Sequence, residues 1–148
     1  MKSKVYLDTS AISALFDMRS PERMEMTKAA WKQLKNYDVY ISEIVMEELS
    51  RVTESLRKNM LESVENATVL PVTKAAQSLA DAYVERGVFP EKYYDDALHV
   101  AIASIHQIGI LLSWNFTHLV KLKTRRLVTL VNTIENYSPV EIISPPEL

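Results

Sequence analysis

Asp8, Glu48 and the pair Asp95-Asp96 are the residues best suited to chemistry in this sequence, because each carboxylate adjoins or interrupts an apolar pattern. Asp8 directly follows the run Val5-Tyr6-Leu7. Its ordinary role there is a helix N-cap, a duty that Thr9 and Ser10 are also equipped to perform. Glu48 is more telling. At 100° per residue, Ile44, Glu48, Val52, Val45 and Leu49 fall at about 0°, 40°, 80°, 100° and 140° on a helical wheel, so Glu48 lies inside the apolar arc. Glu43 and Glu47 lie opposite, and Glu47 can pair with Arg51 four residues on. A glutamate within a buried stripe calls for a cation or a metal beside it.

Asp95 and Asp96 open a helix whose body runs Ala97-Leu98-His99-Val100-Ala101-Ile102-Ala103. Acids in a first turn are favoured by the helix dipole, which is the competing explanation for both. The wheel sets Asp96 over Val100 and Ala103 on the inward side, and Asp95 with His99 and His106 on the polar side. Asp96 is therefore expected inside, Asp95 as an outer contributor, and His99 as a solvated helix-face histidine, with a ligand role beside the acids as the lesser alternative. No lysine or arginine interrupts these inward faces. Clustered carboxylates raise one another's pKa values unless a cation joins them, and oxygen ligands without cysteine suit Mg²⁺ or Mn²⁺. His118 and the dense basic run Lys121, Lys123, Arg125 and Arg126 are candidates for the phosphate contacts that an acidic site cannot make. For the run, a solvated helix start is an equal alternative.

Short apolar strands must position these side chains. Strands are expected at Val5–Leu7, Val39–Ile41, Thr68–Leu70 and Ile110–Ser113, with an edge strand at Val140–Ile143. Between them, helices are expected over Ala11–Phe16, Pro21–Lys35, Glu43–Val52 with Ser42 as cap, Ser55–Val64, and Thr73–Arg86 closed by Gly87. Two more follow, Tyr93–Gln107 ended by Gly109 and Arg125–Tyr137, and Pro145-Pro146 should leave the terminus extended. Continuous apolar strands alternating with helices indicate a parallel sheet covered on both faces. Ligands in such sheets sit beyond the carboxyl ends of the strands, which is where Asp8 stands and where the helices bearing Glu48 and Asp96 begin.

The chain has 148 residues, 47% apolar and 24% charged, as expected of one domain over 1–148. Its only glycines, Gly87 and Gly109, exclude a GxGxxG fingerprint and a P-loop. HExxH and GxSxG are absent too. The lack of cysteine removes disulfides, thiolate zinc sites and thiol catalysis, and fits a reducing cytoplasm. A net charge of −2 argues against general adsorption to nucleic acid and leaves phosphate binding to a local patch. The longest apolar stretches, 97–105 and 108–114, fall short of the about 20 residues that cross a bilayer, and the N-terminus lacks the shape of a signal peptide.

Taken in order, Val5-Tyr6-Leu7-Asp8-Thr9-Ser10, Ile41-Ser42 with Glu48-Leu49, Asp96-Ala97-Leu98-His99-Val100-Ala101 and Leu111-Leu112-Ser113-Trp114-Asn115 resemble the PIN-domain ribonucleases, most of all VapC-type toxins. The resemblance spans about residues 4–120. It implies a three-layer α/β/α sandwich with a central parallel sheet of four to five strands. It implies further that Asp8, Glu48 and Asp96 hold Mg²⁺ or Mn²⁺ for cleavage of single-stranded RNA, with Ser10 or Thr9 orienting water or ligand beside the first acid. Many members place a fourth acid after the fourth strand, where this chain has Asn115, and that departure bears on a second metal. The implied partners are RNA, a small antitoxin and a second copy of the chain. Two other readings compete. One is a PIN fold that binds RNA or protein without turnover. The other is a phosphate-transfer fold, against which stand Ser10, where a dehalogenase needs a second aspartate, and the lack of a receiver's acidic pair.

Overall fold

The structure, a computed structural model, describes residues 2–148. Five parallel strands form one sheet: β1 (Ser3–Leu7), β2 (Tyr37–Ser42), β3 (Thr68–Leu70), β4 (Ile110–Leu112) and β5 (Glu141–Ile143), in the order β3-β2-β1-β4-β5. Val5, Tyr6 and Leu7 are fully buried, as a central strand of a covered parallel sheet must be. Val5 aligns with Val39 on one side and Ile110 on the other, and Leu7 with Leu112. Among the described residues seven α-helices flank the sheet: α1 (Thr9–Ser13), α2 (Pro21–Leu34), α3 (Glu43–Leu49), α4 (Glu54–Ser63), α5 (Lys74–Glu85), α6 (Tyr94–Ile105) and α7 (Leu122–Ile134). This is the expected α/β/α sandwich, with the terminal segment paired as a true edge strand.

The chain winds from β1 outward to β3, then returns across β1 to place β4 and β5 on its other side. The direction of winding therefore reverses between β1 and β4. Adjacent connections leave the sheet on opposite sides there and open a crevice at the carboxyl ends. Asp8 ends β1 and Ser113 ends β4, and the Asp8 N–H donates to the Leu112 carbonyl at 3.2 Å.

α6 is the most enclosed helix, buried at every residue from Ala97 to Ser104. It packs against α5, α3 and β4. Tyr83 of α5 donates its hydroxyl to Asn132 Oδ1 of α7, and Asn132 Nδ2 donates to Ser104 Oγ of α6 at 2.9 Å, so the three helices share one satisfied polar contact. That enclosure overturns the expected polar side of α6: His99 is 2% exposed.

Four local expectations also change. Ser42 does not cap α3 through its side chain; its hydroxyl is spent on Tyr6, 2.7 Å away. The left-handed residue after α6 is Gln107, at φ 56°, rather than Gly109. Residues Pro145–Glu147 form a 3₁₀ turn with a capping box from Ser144 and Glu147 instead of an extended tail. The last helix starts at Leu122, three residues earlier than expected. Among the described residues no helix is long and apolar enough to cross a membrane.

Candidate active site

Asp8 is built as the N-cap of α1, with extended backbone at φ −80° and ψ 173°. Its Oδ1 accepts from the Ala11 N–H at 3.0 Å and from Ser10 Oγ at 2.7 Å; Oδ2 accepts from Ser113 Oγ at 2.5 Å. Capping duty thus falls on Asp8 itself and not on Thr9 or Ser10. Ser10 also accepts from the Trp114 N–H at 2.9 Å, and Ser113 from the Asn115 N–H at 2.9 Å, which locks the loop after β4 onto the loop after β1. Burial pushes the Asp8 carboxyl above its usual range, opposed by the charge of His99 and by the donors from Ser113, Ser10 and Ala11.

Glu48 lies on the inward side of α3, as the wheel predicts, with Ile44, Val45 and Leu49 buried around it. Glu47 is exposed and pairs with Arg51 at 2.9 Å. Glu48 Oε1 accepts from Thr9 Oγ1 at 2.7 Å and meets His99 Nε2 at 2.8 Å. The other ring nitrogen of His99 meets the Tyr6 hydroxyl at 2.6 Å. A buried chain therefore runs Ser42–Tyr6–His99–Glu48–Thr9. Burial opposes ionisation at both ends of the pair. The hydrogen bond and charge of His99, then Thr9 and Arg51, nevertheless hold Glu48 below its usual range, and Glu48, Asp8 and Asp96 raise His99. Both shifts favour the ionised forms of the pair.

Asp96 stands in the first turn of α6, one helical turn before His99. Burial pushes its pKa up to about 6; His99 pulls it down, while Asp8, Glu48 and Asp95 push it further up. Its one hydrogen-bond donor among the described residues is Asn115 Nδ2, at 3.4 Å from Oδ2. Asn115 Oδ1 accepts from the His118 N–H at 2.9 Å, so the amide both turns the loop and faces Asp96. Asp95 and Asp96 share with Glu48 an open cleft of about 290 Å³, whose remaining wall is Lys92, Tyr93 and Tyr94.

The basic candidates separate. His118 stacks on Tyr93, with ring centroids 3.9 Å apart. Its pKa is lowered by burial and by the nearby charges of Lys121 and Lys92. Through Tyr93 this small positive rim adjoins the cleft. Lys123 and Arg126 are exposed on α7, and Arg125 turns toward the Ile142 carbonyl, 3.5 Å away. Lys121 is thus the member of the run beside His118, and the other three show no contact with the acids.

Tyr6 and Ser113 are what sequence reasoning missed, and it favoured the solvated side for His99, which is buried. The available signal was a histidine inside the otherwise apolar run 97–105, three residues after Asp96 and so able to share its face.

The carboxylates do not close around one point: among the described residues, no three histidine or acidic side chains form a ready metal cluster. Their chemistry nonetheless suits a hard cation. One histidine faces three carboxyl groups, and neither Glu48 Oε2 nor Asp96 Oδ1 accepts a hydrogen bond from the described residues.

A profile of the PIN domain matches residues 5–115. No curated protein matches the sequence. Among solved structures the chain is similar to one of VapBC2 from Rickettsia felis, bound to a DNA fragment from their promoter. The TM-score is 0.59 at 11% identity, over 95% of this chain and 98% of that one. It is also similar to VapC20 of Mycobacterium tuberculosis, a toxin that cleaves the sarcin–ricin loop. There the TM-score is 0.60 at 19% identity, over 77% of this chain and 92% of that one. At these identities the likeness is one of fold. With most of its length matched by the profile, the chain belongs to the PIN-domain family and carries the fold of VapC-type toxins.

Proposed function

We propose that this chain is a Mg²⁺- or Mn²⁺-dependent endoribonuclease that cuts single-stranded RNA, acting as one PIN-like domain over residues 1–148. The observation that carries the reading is the gathering of Asp8, Glu48 and Asp96 at the sheet's switch point, with one histidine, His99, and no lysine or arginine paired to them among the described residues. Asp8, Glu48 and Asp96 would hold the ion. When bound, the ion supplies Lewis-acid stabilisation of phosphate charge and a water made nucleophilic near neutral pH. Ser10 and Ser113 fix the Asp8 carboxylate, while Thr9 and His99 fix that of Glu48. Asn115 faces Asp96, and Asp95 adds negative charge at the cleft mouth. Lys121 and His118 supply phosphate contacts from the rim, with Lys123, Arg125 and Arg126 offering a longer-range positive surface.

The fold shared with VapC20 and with the VapBC2 complex supports a role as the toxin of a toxin–antitoxin pair. A small antitoxin, a homodimeric assembly and a cytoplasmic location complete the proposal. The test is cleavage of single-stranded RNA with Mn²⁺ or Mg²⁺, repeated with chelator. No metal-dependent cleavage by the native chain overturns the reading. Asn115, a neutral amide where many members carry a fourth acid, favours one alternative, a PIN fold that holds RNA or a protein partner with little or no turnover. RNA retained but uncut in the presence of Mn²⁺ would favour it.

A further inference from the structure

Trp114 lies under the guanidinium of Arg23, whose Cζ stands 4.7 Å from the indole centroid and 5.8 Å from that of Phe116. Trp114 is fixed in place: its Nε1 donates to Thr27 Oγ1 at 2.8 Å, and its backbone N–H to the Ser10 hydroxyl that holds Asp8. Phe116 sits edge-on to it, centroids 5.9 Å apart, and leaves 47% of its surface in solvent. Beside them opens a groove of about 600 Å³ walled by Ser20, Pro21, Glu22, Arg23, Met26 and Trp114. Asn115, between the two aromatic residues, reaches Asp96. One short loop therefore carries the aromatic platform and adjoins the acids.

We infer that Phe116 and Arg23, seated on Trp114, form a base-binding subsite in which an unstacked nucleobase of single-stranded RNA lies next to the phosphate to be cut. The inference rests on the nuclease reading and names how that site takes its substrate. Single-stranded nucleic acid is held by aromatic faces and guanidinium planes on which bases stack, with cations for the backbone. Here an exposed ring and an arginine are supplied together. The acidic cleft alone would repel RNA, and Arg23 offsets that at the point where the strand would enter. Glu22 on the same wall offers an acceptor for an exocyclic amino group.

The experiment is fluorescence anisotropy with a labelled single-stranded oligoribonucleotide in chelator, beside an abasic oligomer of the same length and charge. The native chain should prefer the intact oligomer. Phe116→Ala should lower that affinity roughly tenfold, as loss of one base–aromatic stack does, and leave the abasic oligomer's affinity unchanged. Phe116→Trp should restore it, and Arg23→Gln should weaken both oligomers. Phe116 is half-exposed, so the alanine variant should keep the native melting temperature. If Phe116→Ala binds both oligomers as the native chain does while the native chain still cleaves RNA with Mn²⁺, the subsite is overturned and the nuclease reading stands. If the native chain neither binds nor cleaves, both fall. Loss of a co-purifying protein with RNA binding intact would make this a protein-docking face and overturn the subsite.

Discussion

His99 Nε2 and Glu48 Oε1 stand 2.8 Å apart, joining α6 to α3 inside the molecule with the histidine 2% exposed. The contact engages one of the three gathered carboxyl groups, and among the described residues Asp96 has only an amide donor. His99→Leu should therefore cost more than its volume suggests. It removes one of the two partners of the buried Tyr6 hydroxyl and one of the two of Glu48 Oε1, which keep Ser42 and Thr9. A hydrogen bond to a charged group is worth about 1.5–3 kcal/mol, so chemical denaturation should show a loss of that size. His99→Gln, which keeps hydrogen-bonding capacity, should lose less. Equal stability in both variants would mean that the histidine is merely filling space.

The inward and outward glutamates of α3 make a direct comparison. Asp8→Ala, Glu48→Ala and Asp96→Ala should each lower Mn²⁺-dependent RNA cleavage by at least a hundredfold, roughly the scale on which a lost catalytic group is felt. Glu47→Ala should leave it unchanged, because Glu47 is exposed and touches only Arg51. An active Glu48→Ala with an inactive Glu47→Ala would reverse the assignment.

Asn115→Asp should act in opposite directions with and without metal. In chelator it sets a second carboxylate 3.4 Å from Asp96 and removes the amide donor, so the melting temperature should fall. With Mn²⁺ the added charged oxygen should tighten binding in a calorimetric titration. The backbone turn survives, since the aspartate can still accept from the His118 N–H. An unchanged affinity would put Asn115 outside the ion's reach and leave it a turn-forming role.

These expectations draw on features of unequal legibility. Val5–Leu7 and Ile110–Leu112 were readable because strands covered on both faces are continuous apolar runs, and the edge strand Thr68–Leu70 because its residues are β-branched or apolar. Glu48 was readable because one short helix has one covered side, and a wheel registers that. His99 was not, because a wheel divides a helix into two sides, whereas α6 is enclosed all round by α5, α3 and β4. Nor could periodicity reveal that Ser42 leaves its cap position for Tyr6, or that Ser113 turns back to Asp8 across 105 residues. Those are tertiary hydrogen bonds between chain segments whose approach only the sheet order defines.

Asp96 separates a metal site from a merely structural buried charge. Its pKa is raised from 3.8 to about 6, chiefly by burial. A carboxyl raised in the folded state opposes folding when ionised. The penalty is therefore absent below the unfolded value, grows between about pH 4 and 6, and is complete above pH 6, reaching at most about 3 kcal/mol. Asp96→Asn should remove it. In chelator at pH 7 the variant should melt higher than the native chain, with the difference shrinking toward zero as the pH falls to 4. Mn²⁺ should close most of that gap, because an ion at one hundred times its dissociation constant stabilises the native chain by about 2.7 kcal/mol and the variant by far less. Below pH 6 a proton on Asp96 competes with the ion, so native Mn²⁺ affinity should weaken there. The measurement is a set of melting curves for both chains at pH 4, 5, 6 and 7, each with chelator and with Mn²⁺. A variant that melts lower than the native chain in chelator at pH 7, together with a native chain indifferent to Mn²⁺, would mean that the carboxylates serve the fold and that the metal-dependent reading is wrong.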